Sequence, residues 1–244
     1  MRGLVPLGDY LIAGDARVER GVAIPNLEFR THELPSRETT IRVVGPDADE
    51  TAEWLNTHER PAEVWNVEVE PGAEERPRWR LWSPKRWFTE ATRGLSPGRA
   101  IDLGCGSGRE ALLLASRGWT VTGVDHLESA LVKARDLESR YGVGEAIDWR
   151  LGDAVQAEGV YDLVVALRFY LPALIDLIPN LLTPGGHAYL ETFTEARRER
   201  TGSPRATDFI LPIADALNWR GMEVLWMEED ADVRRWHLKR VDSM

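Results

Sequence analysis

Beyond residue 98 the apolar residues gather into short blocks separated by longer, half-polar stretches, and the two kinds alternate. Residues 99–102, 119–125, 147–151, 161–167 and 187–193 each read as a strand, bounded by glycine, proline or charged turns. Between them, residues 109–115 are Leu-rich and helix-forming. Residues 127–141 place Leu127, Ala130, Leu131, Ala134 and Leu137 at helical spacing. Residues 171–182 read as a helix despite Pro179, and residues 222–228 and 233–241 as a closing pair of strands. The block at 161–167 is almost continuously apolar, as expected of a strand covered on both faces.

The first ninety residues are less regular. Residues 9–13, 41–44 and 63–69 read as strands, with Val64, Trp65, Val67 and Val69 as the β-favouring members of the third, and 51–57 as a helix. These predict a small α/β module over residues 1–70. Pro71-Gly72, Pro77 and Ser83-Pro84, with charges between them, predict a linker at 71–78 and a second domain over 79–244. Trp79, Trp82, Trp87 and Phe88 then crowd into one segment. They either pack an entry helix onto the sheet or line a pocket.

Composition narrows the chemistry. The chain has 244 residues with 43% hydrophobic and 29% charged, ordinary for a globular protein with a real core. No apolar run approaches the roughly 20 residues that span a bilayer, and the opening residues lack signal-peptide character, which predicts a cytoplasmic chain without membrane partners. A net charge of −10 without a long basic stripe makes nucleic acid a poor partner and a small molecule a better one. The single cysteine, Cys105, excludes an intrachain disulfide, and the five scattered histidines predict no metal site. The sequence leaves monomer and homodimer open.

The candidate chemistry centres on Asp102-Leu103-Gly104-Cys105-Gly106-Ser107-Gly108. A strand ending in an acid runs into glycines at every second position and then into a helix, so a ligand can lie directly on the peptide groups. Dinucleotide sites want glycine at the first, third and sixth positions, and the sixth from Gly104 is Arg109. Asp125 closes the next strand, 21 residues beyond Gly104, near the spacing of a ribose-binding carboxylate, and it also suits a helix cap.

The acid followed by Gly-x-Gly-x-Gly resembles the first motif of class I S-adenosylmethionine-dependent methyltransferases, and Leu182-Thr183-Pro184-Gly185-Gly186 resembles their turn before the fifth strand. The resemblance implies a Rossmann-like α/β fold over about residues 79–244: a seven-stranded mixed sheet, helices on both faces, the last strand antiparallel. It implies S-adenosyl-L-methionine as cofactor, with Asp102 orienting the ammonium group and Gly104, Cys105, Gly106 and Gly108 under the amino-acid part. Asp125 and His126 would serve the ribose side, Asp153 and Ala154 the adenine, and Leu167 would be a further cofactor-binding residue. Glu191-Thr192-Phe193 and the loop at 168–170 are closest in flavour to tellurite-resistance-like and thiopurine-type small-molecule methyltransferases.

The loop after the 161–167 strand reads Arg168-Phe169-Tyr170, without the Asn/Asp-Pro-Pro-aromatic or Pro-Cys signatures of nucleic-acid methylases. Arg168 suits an anionic acceptor and Tyr170 offers a face to a sulfonium, unless the two aromatics only pack the next helix. Glu191 stands as a candidate base, and residues 194–211 as a polar insertion over the acceptor pocket. A catalytically silent, cofactor-binding interaction protein and an RNA or tRNA methyltransferase are the competing functions. Separately, the order of elements in residues 1–70 resembles a shortened rhodanese-like domain. That family's nucleophilic cysteine would fall at Gly45, which excludes sulfur transfer.

Overall fold

The computed structural model describes residues 4–72, 78–142, 147–205, 210, 219 and 221–241. Its first half contains β1 (Tyr10–Ile12), β2 (Ala16–Arg17), β3 (Gly21–Ala23), β4 (Ile41–Val44), α1 (Ala48–Thr57), β5 (Ala62–Val64) and β6 (Glu70–Pro71). Four of these strands form a parallel sheet in the order β3-β1-β4-β5. Leu11, Val22, Ile41 and Val43 of the sheet close on Leu34 and on Ala52 and Leu55 of α1, giving this half its own hydrophobic cluster.

Two differences from the sequence pattern stand out here. Strand β3 has only three residues and begins with glycine, too short to show alternation. The strand expected over 63–69 leaves the ladder after Val64, and Val67 and Val69 instead pack beside Ile12, Ala16 and Val44. Gly45, at the end of β4, has φ +110°, and a Cβ there would lie 2.3 Å from the Ala13 carbonyl oxygen. The position at which the rhodanese resemblance wants a cysteine therefore has room for hydrogen alone. Most of the expected linker at 71–78 lies outside the described residues.

The second half continues with α2 (Arg86–Ala91), β7 (Arg99–Leu103), α3 (Arg109–Ser116), β8 (Thr120–Asp125), α4 (Glu128–Tyr141), β9 (Ile147–Leu151), β10 (Tyr161–Leu167), α5 (Leu174–Leu181), β11 (Leu182–Phe193), α6 (Glu195–Thr201), β12 (Met222–Glu229) and β13 (Val233–Arg240). Seven strands form one sheet in the order β12-β13-β11-β10-β7-β8-β9. Strands β7 to β11 run parallel, and β13 is antiparallel to both its neighbours. The expected mixed sheet is thus present, with the closing pair inserted so that β13 separates β11 from β12. Strand β10 sends Val164 and Ala166 into one core and Leu163 and Val165 into the other, which explains its continuous apolarity. The turn expected at 182–186 is taken up in β11 as a bulge: Leu182 pairs with Tyr161, and the register then jumps to Leu163 opposite His187.

Strand order reverses between β7 and β10, so the crevice at their carboxyl ends lies between the glycine turn and the 168–170 loop. Into the side of this half docks the segment 30–34. Tyr141 donates to the fully buried Glu33 carboxylate at 2.6 Å, Arg140 lies 3.5 Å from it, and Arg30 pairs with it from its own segment. The Arg109 guanidinium donates to the carbonyls of His32 and Leu34 at 2.8 and 2.9 Å. A buried acid so bonded is costly to orphan.

Candidate active site

Strand β7 delivers Asp102 to the crevice, and the chain then turns through Gly104, Gly106 and Gly108, all at positive φ. Nothing among the described residues lies within 4 Å of a Cβ placed on Gly106, so one face of the turn is open to a ligand. Gly108 is closed instead: its φ is +75°, and a Cβ would stand 2.3 Å from Trp149 Cη2. Gly108→Ala is expected to cost about 1–3 kcal/mol of stability. A lowered urea midpoint checks it, and an unshifted midpoint contradicts it.

Asp125, buried at the end of β8, ties this turn to the next helix. One carboxylate oxygen accepts the Gly106 N–H at 2.8 Å and the other accepts the Leu127 N–H at 2.9 Å. Its backbone carbonyl accepts from Gly152 at 3.0 Å, which brings the loop after β9 to the same place. In that loop Asp153 caps a short 3-10 turn through the Val155 N–H at 3.0 Å, with Ala154 buried beside it. His126 holds an exposed ring 3.8 Å from Asp125. Leu127, expected on the apolar stripe of its helix, is the exposed residue preceding it.

Asp102 is buried, and burial, with Glu110 and Asp125 nearby, pushes its carboxyl well above the usual carboxylate range; only the Ala111 N–H works against this. Its Oδ2 has no hydrogen-bond partner among the described residues. A buried acid oxygen lacking a donor fits the ammonium group that the methyltransferase resemblance assigns to it. Burial also drives the Cys105 thiol upward, so it lies in the turn as an inert side chain.

Across the crevice Leu167 ends β10, and Arg168 follows with φ +56°, a left-handed backbone that strains a non-glycine residue by about 1–3 kcal/mol. Its N–H donates to the Glu191 carbonyl at 2.7 Å, which holds the strained loop against β11. The guanidinium is 46% exposed, 3.4 Å from the Glu191 carboxylate and 3.8 Å from Glu38 of the N-terminal half. Phe169 covers Gly104.

Two residues expected in catalytic roles, Glu191 and Tyr170, stand in enclosed surroundings. Glu191 is buried, with Lys85 Nζ at 2.8 Å and Arg168 on one oxygen, and the Trp87 indole N–H at 2.8 Å and Arg235 at 2.9 Å on the other. Burial acts to raise its carboxyl, but these cations outweigh burial and hold it below the usual glutamate range. An acid so enclosed acts on its neighbours as a counter-charge. Tyr170 is buried in the core against the α5 side, with Leu174 and Ile178, so its ring packs the following helix.

Lys85 and Arg235 escaped the sequence reading. Arg235 sits opposite Glu191 in the β11–β13 register, a pairing invisible before the strands are aligned. Of the aromatics in the entry segment, Trp82 and Phe88 are core residues, whereas Trp87 reaches the Glu191 cluster. His32, Glu33 and Asp136 bring ligand atoms within 4.8 Å of one another, an arrangement the sequence spacing did not predict, but Arg30, Arg140 and Tyr141 already hold Glu33. Of the polar insertion, 195–201 is helix α6, and residues 206–209 and 211 lie outside the described residues.

Residues 100–186 match the family described as "Methyltransferase domain". The ubiquinone biosynthesis O-methyltransferase of Pseudomonas aeruginosa is 33% identical over 138 residues, covering 52% of this chain and 57% of that protein. The chain thus spans little more than half the length of this curated relative. Among solved structures, TehB from Haemophilus influenzae superposes with a TM-score of 0.55 at 20% identity, over 65% of this chain and 63% of that one. Magnesium protoporphyrin IX methyltransferase from Synechocystis PCC 6803 with bound SAM gives 0.50 at 20% identity, over 63% and 74%. The structural likeness establishes the shared fold.

Proposed function

We propose, from the premise that residues 100–186 form a class I S-adenosylmethionine-dependent methyltransferase domain, that this chain transfers the sulfonium methyl group to a small-molecule acceptor held near Arg168. The carrying observation is the buried Asp102 oxygen without a donor, beside a glycine turn that Asp125 locks in place. The bound cofactor supplies an electrophilic methyl group in need of little activation, which leaves alignment and exclusion of water to the protein.

In this reading Asp102 receives the ammonium, the open face of Gly106 receives the amino-acid part, and Asp125 offers its remaining lone pairs to the ribose hydroxyls. His126, Asp153, Ala154 and Leu167 flank the adenosine. Arg168, half exposed and oriented by Glu191, receives a carboxylate or oxyanion on the acceptor. The O-methyltransferase relative supports a small-molecule acceptor, and the missing nucleic-acid signatures in the 168–170 loop point the same way.

Residues 1–70 act as an accessory module with no sulfur-transfer chemistry, and 79–244 as the transferase domain. A cytoplasmic location belongs to the same proposal. No helix among the described residues is long and apolar enough to cross a membrane.

The test pairs calorimetry of S-adenosylhomocysteine with methyl transfer to a panel of small aromatic acids and phenols. Arg168→Ala should bind the cofactor product within about twofold of the parent yet turn over roughly 100-fold more slowly. Unchanged turnover removes Arg168 from the site, and absence of product binding overturns the function.

A further inference from the structure

A second cleft, of about 370 Å³, opens between the 31–37 segment of the N-terminal half and the start of α4. We propose that it is an oxyanion site that takes a phosphate group, either free or as a small phosphomonoester. Its walls include Arg37, Arg60, Lys133, His32, Ser107 and Ser129, and no carboxylate lines it among the described residues. In a chain of net charge −10 such a concentration of cations is unexpected from composition.

The positive charge there is largely uncompensated. Among the described residues Arg60 donates only to neutral carbonyls, of Pro35 at 2.7 Å and Thr31 at 3.5 Å. Burial and the like charge of Arg37 both push its pKa down, against the more favourable field of Glu38. Lys133 has no ion-pair partner among the described residues. Arg37 is offset by Glu59 at 2.8 Å, an exposed pair of small worth.

His32 supplies an independent sign of a ligand. Its side chain is only 8% exposed, and Nε2 is fixed by Asp136 at 3.0 Å, yet Nδ1 has no hydrogen-bond partner among the described residues. A buried ring nitrogen without a partner is uncommon, and a hydroxyl-bearing oxyanion such as hydrogen phosphate beside it can supply the missing hydrogen bond. At the start of the 14-residue helix α4 the Ala130 N–H donates to the Leu127 carbonyl at 3.0 Å, and the amides of Glu128 and Ser129 precede the first intrahelical bond, so they can face an anion at the same end. Pockets of this size hold small organic ligands, so a phosphomonoester fits as well as the bare ion. Ser107 belongs to the glycine turn, so an occupant bridges the N-terminal half and the cofactor loop.

The experiment is calorimetry of the full chain with inorganic phosphate and, separately, glucose 6-phosphate, at constant ionic strength. Saturable binding is expected. Tighter binding of the sugar phosphate supports a phosphomonoester, and equal or weaker binding supports the free ion. Lys133→Gln should weaken it about tenfold. Ser129→Asp puts a carboxylate at the helix start, where it suits the helix dipole and leaves folding intact, and should abolish binding. Absence of saturable binding of either probe, or unchanged affinity in Ser129→Asp, overturns the site. S-adenosylhomocysteine binding by the same samples reports on the methyltransferase reading separately, because neither substituted residue belongs to that cofactor's cradle.

Discussion

Asp125→Ala is expected to weaken S-adenosylhomocysteine binding by about 100-fold or more, because it removes two kinds of interaction at once. The carboxylate accepts the Gly106 and Leu127 amides at 2.8 and 2.9 Å, so it shapes the turn on which the ligand lies. Hydrogen bonds to charged groups contribute about 1.5–3 kcal/mol each, so the turn loses its anchor even before contacts to ribose are counted. Asp125→Asn keeps one acceptor oxygen but turns an amide donor toward an N–H, and should fall between alanine and the parent. Calorimetry on the three proteins orders them; equal affinities would remove Asp125 from the site.

Glu191→Gln should destabilise the fold by about 3–5 kcal/mol, because it leaves buried cations without their counter-charge. Lys85 and Arg235 are 20% and 16% exposed and suffer most, whereas Arg168 at 46% keeps much of its hydration, which favours the lower end. Urea unfolding of the variant checks the size. Adding Arg235→Gln to Glu191→Gln should recover part of the loss, as removal of the orphaned charge predicts.

The pH dependence carries a definite sign. Glu191 titrates below the usual glutamate value in the folded chain, so its stabilisation is complete above that value and is lost as the pH falls through the lower, folded one. The parent should therefore lose stability in acid more steeply than Glu191→Gln. Identical acid limbs would show that the cluster contributes nothing to folding.

The sequence reading succeeded where a local pattern and its tertiary cause coincide. Residues 161–167 were legible to the residue as a strand because both faces of β10 are covered. The glycine turn was legible because its acid, its spacing and the following helix are contiguous. It failed where meaning depends on distant partners. Glu191 reads as a candidate base in sequence because Arg235, 44 residues away, reaches it only through the β11–β13 register. Nothing local marks Glu33 as buried, because the Tyr141 hydroxyl that donates to it stands 108 residues further along the chain. Strand β3 was missed because three residues carry no period. Tyr170 offered two readings, and the packing of α5 decided for the core.

The clasp of residues 32–34 by Arg109 and Tyr141 bears on how such a chain can change through descent. Arg109 opens the very helix that follows the glycine turn, and its guanidinium is spent on carbonyls belonging to the other half. Exchanging the N-terminal half for a foreign one would leave the Arg109 guanidinium without these acceptors, beside the glycine turn. The two halves are therefore coupled through this clasp, so a change at either face of it is felt at the other.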